Sequence, residues 1–145
     1  MQLKDVMKKH VAVVAPDTPL REAAQKMNAA GVGLLPVCEG LSVVGLLTSR
    51  DIAVRATARG CDARSGRVRE VMMAPAICGR ENQNVNEAAA LMQRWRLYGL
   101  PVVDRGLQLA GIVFLRDLRG NARGARRATS RWNRRKRTKP ARKST

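Results

Sequence analysis

Aromatic residues are scarce: the 145-residue chain has two Trp, one Tyr and one Phe, 3% in all. Hydrophobic residues still make up 45%, so a core must be built from Val, Leu, Ile, Ala and Met. Histidine occurs once, as His10, which argues against a His-based metal site or a Ser/His/Asp triad. The three cysteines, Cys38, Cys61 and Cys78, are odd in number, far apart and without CxxC spacing. A disulfide scaffold is disfavoured. Reduced thiols in a cytoplasmic protein are expected, with Cys38 and Cys78 as core residues. No apolar run approaches the roughly 18–20 residues of a membrane helix, so no membrane span is expected. The N-terminal lysines precede no long apolar stretch, so a secretory signal is not expected either. Neither GxxxxGK[ST] nor GxGxxG occurs, and no acid–base or nucleophile constellation stands out. The chain reads as a binding module rather than an enzyme, with no required cofactor and no metal site.

Acidic residues are also few, 11 against 28 Lys and Arg, for a net charge of +17. All 11 lie at or before Asp117, whereas residues 120–145 hold 11 basic residues and no acidic one. A mildly basic globular part therefore gives way to a polar tail, residues 121–145, expected to be disordered or an extended helix. Three readings of the tail stay open. Arg126, Arg127, Arg131, Arg134, Arg135, Lys136 and Arg137 can contact nucleic-acid phosphates. They can equally attract another anionic partner, or have no defined role.

The globular part is written twice. At an offset of 65, Asp5-Val6-Met7 meets Glu70-Val71-Met72, and Glu22-Ala23-Ala24 meets Glu87-Ala88-Ala89. Leu35-Pro36-Val37 meets Leu100-Pro101-Val102. After a one-residue insertion, Gly45 meets Gly111 and Arg50-Asp51 meets Arg116-Asp117. Two units follow, residues 3–60 and 68–120, joined by a linker. Units of about 60 residues are marginal alone, so the halves should share a buried interface.

Each half reads as strand, helix, strand, strand, helix. In the first, Val11–Val14 is a short strand, and Thr18 caps a helix that carries Pro19 at its first position. Leu20, Ala23, Ala24 and Met27 form the apolar stripe of that helix, and Gly31 ends it. Leu34–Cys38 and Ser42–Leu47 suggest a hairpin around Glu39-Gly40. A second helix begins near Thr48 and ends by Gly60, with Ile52, Ala53 and Ala56 inward. In the second half, Val85, Ala88, Ala89, Leu91, Met92 and Trp95 cover one helix, and Leu100–Val103 and Leu109–Phe114 form the hairpin. A last helix starts near Leu115.

Asp5-Val6-Met7, the helix start Pro16-Asp17-Thr18-Pro19-Leu20-Arg21-Glu22-Ala23-Ala24, the strand Leu35-Pro36-Val37 and the turn Gly45-Leu46-Leu47-Thr48-Ser49-Arg50-Asp51 together resemble the CBS domain. Two in tandem resemble the CBS pair, or Bateman module. The resemblance covers roughly residues 3–120. It implies an α/β fold of the α+β type, with two β-α-β-β-α repeats packed as one pseudo-twofold module. It further implies clefts between the halves for adenosine ligands such as AMP, ADP, ATP or S-adenosylmethionine, a sensor or signal-transduction role, and homodimerisation.

The first candidate site centres on Thr48, Arg50 and Asp51. A strand-to-helix junction offers unpaired N–H groups to a phosphate, Thr48 adds a hydroxyl and Arg50 a charge. Asp51 can accept from both ribose hydroxyls, with adenine against Val13, Leu35 and Pro36; in similar proteins this Thr and Asp do those jobs. Thr48-x-x-Asp51 equally fits a helix capping box, and the two roles can coexist. The second, weaker site holds Arg116 and Asp117, but Phe114 stands where Thr48 does. The ring either weakens the phosphate contact or fills the cleft. Tyr98, beside Leu100 and Pro101, is a candidate wall or an ordinary packing residue. Two functions remain: an adenosine-ligand sensor that biases a partner or dimer mate, and a nucleic-acid-associated protein with the repeats as scaffold.

Overall fold

The computed structural model describes residues 1–119. The basic-tail residues Arg126, Arg127, Arg131, Arg134, Arg135, Lys136 and Arg137 lie outside the described residues. β1 (Leu34–Glu39) and β2 (Ser42–Thr48) form an antiparallel hairpin with Leu34 opposite Thr48 and Glu39 opposite Ser42. In the second half β3 (Gly79–Arg80) runs parallel to β4 (Gly99–Val103), which pairs antiparallel with β5 (Leu109–Phe114). Both hairpins carry a register shift at the same repeat position, between Val37 and Cys38 and between Val102 and Val103.

The helices follow their apolar spacing with three exceptions. α1 is Leu3–Val6, α2 is Leu20–Ala30, α3 is Val85–Trp95 and α4 is Leu115–Arg119. α2 buries Leu20, Ala23 and Met27, and α3 buries Ala88 and Met92. Ala24 is exposed, one position outside the buried stripe. Trp95 is 50% exposed, because α3 reverses at Arg96 and Leu97 takes the next buried place. Ala53 is exposed as well. Residues 49–58 wind as one helix, but Asp51–Ala56 is π-helical, and the wider turn shifts the phase of its inward face. Both α2 and α3 close with the same C-terminal motif: Val32 N–H donates to the Met27 carbonyl at 3.0 Å and Leu97 N–H to that of Met92 at 2.8 Å.

Three local expectations change. Val11–Val14 is not a full strand; only Val14 bridges Val37, in parallel. The equivalent stretch of the second half gives β3, only two residues long. Thr18 does not cap α2, since its Oγ1 accepts from the Ala15 N–H at 3.0 Å and closes the preceding turn. The first amides of α2 find linker carbonyls instead: Leu20 N–H donates to Gly66 and Arg21 N–H to Ala63, both at 2.9 Å. Cys38 is buried, whereas Cys78 is only half-buried.

The halves are interlocked by exchange of their opening segments. Lys8 exchanges both backbone hydrogen bonds with Ile112 on β5, at 2.8 and 2.9 Å. At the repeat-equivalent place, Met73 exchanges both with Leu46 on β2, at 2.8 and 2.9 Å. Gly45 and Gly111 are required there. A Cβ at Gly45 would sit 2.8 Å from the Met73 carbonyl oxygen, and one at Gly111 2.7 Å from that of Lys8. The Met7 and Met72 side chains cover those glycines. Consequently Leu3 belongs to the core of the second half with Met92, Leu100 and Val102, and Val68 and Val71 belong to that of the first with Leu20 and Val37.

Candidate functional site

The two strand-to-helix junctions begin alike. Ser49 N–H donates to the Gly33 carbonyl and Leu115 N–H to that of Tyr98, both at 2.8 Å. At the first junction, Thr48 N–H donates to Asp51 Oδ2 at 2.8 Å, and Asp51 N–H donates to Thr48 Oγ1 at 3.1 Å. That is a reciprocal capping box. Asp51 is 8% exposed, and Arg55 Nε lies 3.8 Å from its other oxygen. Both carboxylate oxygens thus already face protein donors. Arg50 is exposed, Val13 half-buried, and Leu35 and Pro36 buried; Leu35 belongs to the first core.

The second junction has a different electrostatic character. Phe114 cannot accept a hydrogen bond from the helix, and among the described residues Asp117 Oδ2 is buried without a hydrogen-bond partner. Lys8 Nζ approaches it at 3.9 Å. The Phe114 ring is flanked by two cations, Lys8 Nζ 5.5 Å and Arg116 Cζ 5.4 Å from its centre. Two cavities of about 150 and 130 Å³ adjoin here and share Val32, Phe114 and Arg116. The larger reaches Lys8, His10, Val11 and Ile112. Tyr98 lines the smaller and is 43% exposed, with its hydroxyl lodged over Gly33, where a Cβ would collide with it. Leu100 and Pro101 are buried, Leu100 within the second core. Of the expected second-site residues, then, Arg116 and Tyr98 line the hollow, whereas Asp117 lines neither cavity and adjoins it through Lys8.

Lys8, His10, Val11 and Val32 complete that hollow, and sequence reasoning passed over all four. They come from the first half, and the exchanged pairing of Lys8 with Ile112 brings the end of the opening segment to the second junction.

Residues 3–56 and 68–124 match the CBS domain. The chain belongs to the CBS domain family. Its halves form a tandem CBS module of mixed α+β architecture. It is 41% identical over 119 residues to the CBS domain-containing protein YhcV of Bacillus subtilis, covering 82% of this chain and 84% of that protein. It is 32% identical over 115 residues to the inosine-5'-monophosphate dehydrogenase of Methanocaldococcus jannaschii, a match covering 79% of this chain and only 22% of that enzyme. The CBS domain pair of protein MJ0100, solved in complex with 5'-methylthioadenosine and S-adenosyl-L-methionine, superposes with a TM-score of 0.73 at 28% identity, over 81% of this chain and 96% of that one. Among the described residues, no helix of this CBS pair is long and apolar enough to cross a membrane.

Proposed function

We propose that this CBS pair is a regulatory module that binds a phosphorylated adenosine ligand at the second junction and acts by binding, not turnover. The observation that carries the reading is the hollow at the second junction, lined by Lys8, Arg116 and Phe114, with the Asp117 carboxylate behind Lys8 at 3.9 Å and, among the described residues, its buried Oδ2 without a hydrogen bond. A ribose diol supplies two donors to such a group. Val11, Val32 and Ile112 offer an aliphatic face to a base. Lys8 and Arg116 suit a phosphate and oppose the sulfonium of S-adenosylmethionine, so AMP, ADP or ATP fits this cleft better. Neither cavity alone reaches the ~300 Å³ at which small-molecule pockets begin. Phe114 lines both, so the ligand enters by displacing its ring. The first junction, with Thr48, Arg50 and Asp51 beside Val13, is a second site that requires its capping box to open. Binding transmits a signal to a partner or dimer mate only through different affinity for two arrangements of the module.

A thermal-shift panel with AMP, ADP, ATP and S-adenosylmethionine tests this. At ~100 times Kd a ligand adds about 2.7 kcal/mol of stability, a clear rise in Tm. AMP or ATP is expected to raise Tm, with the rise abolished in Asp117→Ala and larger in Phe114→Thr. A panel that leaves Tm unmoved at saturating concentrations sinks the proposal. A response lost in Asp51→Ala but kept in Asp117→Ala moves the site to the first junction.

A further inference from the structure

Away from both junctions the second half holds a polar cavity of about 190 Å³, bounded by α1, the loop after β3 and the β4–β5 turn. Lys4, Arg80 and Arg105 line it together with Glu81, Asn82 and Asp104. The internal repeat supplies a comparison. An offset of 65 sets Lys4 against Arg69 and Asn82 against Asp17. In the first half the cation is satisfied from within: Arg69 Nη2 and Nε each lie 2.7 Å from Asp17 Oδ1. Arg67 donates to the Asp17 carbonyl oxygen at 3.0 Å. In the second half Asn82 replaces that carboxylate with a neutral amide. Among the described residues no ion pair reaches Lys4, Arg80 or Arg105.

The two carboxylates of the cavity do not take over that role. Asp104 Oδ1 is committed to the β4–β5 turn, accepting from Gly106 N–H at 2.9 Å and Gln108 N–H at 3.0 Å. Asp104 and Glu81 together set two carboxylates against three cations, which leaves the lining one positive charge in excess. We infer that this cavity is an oxyanion site for a phosphate group, which supplies in the second half the negative charge that Asp17 supplies in the first. Three cations on one cavity lining suit a tetrahedral oxyanion, with charge-assisted hydrogen bonds on several oxygens. Free phosphate and the terminal phosphate of a small phosphorylated molecule share this chemistry.

The test is site-resolved, because a chain of net charge +17 attracts phosphate over its whole surface. Backbone amide NMR shifts of the full chain are followed during titration with sodium phosphate, against sodium chloride at matched ionic strength. Saturable shifts at Lys4, Asn82, Arg105 and Gly106 are expected with phosphate only. Asn82→Asp restores the internal carboxylate of the first half and is expected to weaken apparent affinity at least tenfold. Arg105→Gln, at an exposed turn position, should do the same and serves if the first variant folds poorly. Equal shifts in chloride, or undiminished shifts in both variants, overturn the assignment. A parallel titration with glycerol phosphate separates the sources: response to both assigns a terminal phosphate, response to inorganic phosphate alone a free ion. The reporters line or adjoin a cavity that shares no residue with those at the second junction, so failure here is distinguishable from failure of the adenosine site.

Discussion

Asp51 and Asp117 occupy equivalent repeat positions, yet their surroundings divide their roles. Asp51 closes a capping box with Thr48, so its Oδ2 accepts the Thr48 amide before any ligand arrives, while Arg55 Nε lies 3.8 Å from its Oδ1. Removing either partner leaves a helix amide unpaired. Thr48→Ala should therefore lower stability by about 1 kcal/mol, read as a fall in the urea midpoint at unchanged m-value. Asp117→Ala should cost much less in the absence of ligand, because Asp117 Oδ2 makes no hydrogen bond. An equal loss in both variants would mean that Asp117 supports the fold as much as the capping box does. Cys78 offers a second residue-scale test. Burial, and secondarily the neighbouring Cys38 thiol, pushes its pKa up to about 11. At pH 8 roughly one thiol in a thousand is then ionised, and the thiolate is the reactive form. Alkylation of Cys78 in the folded chain should be slow at pH 8 and accelerate about tenfold per pH unit up to pH 10–11. The linked stability has the matching sign. Protonated Cys78 is favoured by folding, so the contribution is intact below the ordinary thiol value near 9 and is lost as pH rises toward 11. Rapid labelling at pH 7 would overturn this.

Elements were legible in the sequence where a single period or a single residue dictates them. The stripe Leu20, Ala23 and Met27 gave α2, and Gly31 gave its end, with a φ of 66° that only glycine adopts without strain. The hairpin strands came from their apolar runs to within a residue or two. What escaped reading depends on partners elsewhere in the chain. Thr18 looked like a cap, yet carbonyls of the linker reach the α2 amides first. The π-helical turn Asp51–Ala56, which leaves Ala53 exposed, has no period-based signature. At the candidate site, Arg116 was legible from the repeat and Tyr98 from its place before Gly99-Leu100-Pro101, whereas Lys8 and Val32 were not. The repeat also exposes a local defect. Arg96 ends α3 at the position Gly31 holds on α2, with a φ of 54° that strains a residue bearing Cβ. Arg96→Gly should raise stability by about 1 kcal/mol, measured by denaturant unfolding. An unchanged or lower midpoint would show that the Arg96 side chain offsets the backbone strain.

For the whole molecule, the repeated letters showed two similar halves but not how they are joined. Val-Met after an acidic residue and the later Gly recur in both halves because Met7 lies on Gly111 while Met72 lies on Gly45. That crossing is a tertiary fact, invisible within either half. It also makes the halves one cooperative unit, since each core contains residues of the other's opening segment. Leu3 is fully buried among Met92, Leu100 and Val102 of the second half. Leu3→Ala should cost about 2–5 kcal/mol, the range for a leucine truncated in a closed core. If the exchange couples the halves, the loss cannot stay local. Removing the anchor of residues 1–8 also loosens the Lys8–Ile112 pairing and, through Val11, the approach to Val14 and the first core. Amide exchange at Val37 and at Val102 should therefore accelerate by a similar factor in Leu3→Ala, within one unfolding transition. Wild-type protection at Val37 beside lost protection at Val102 would mean that the halves fold separately and the exchanged segments contribute no coupling.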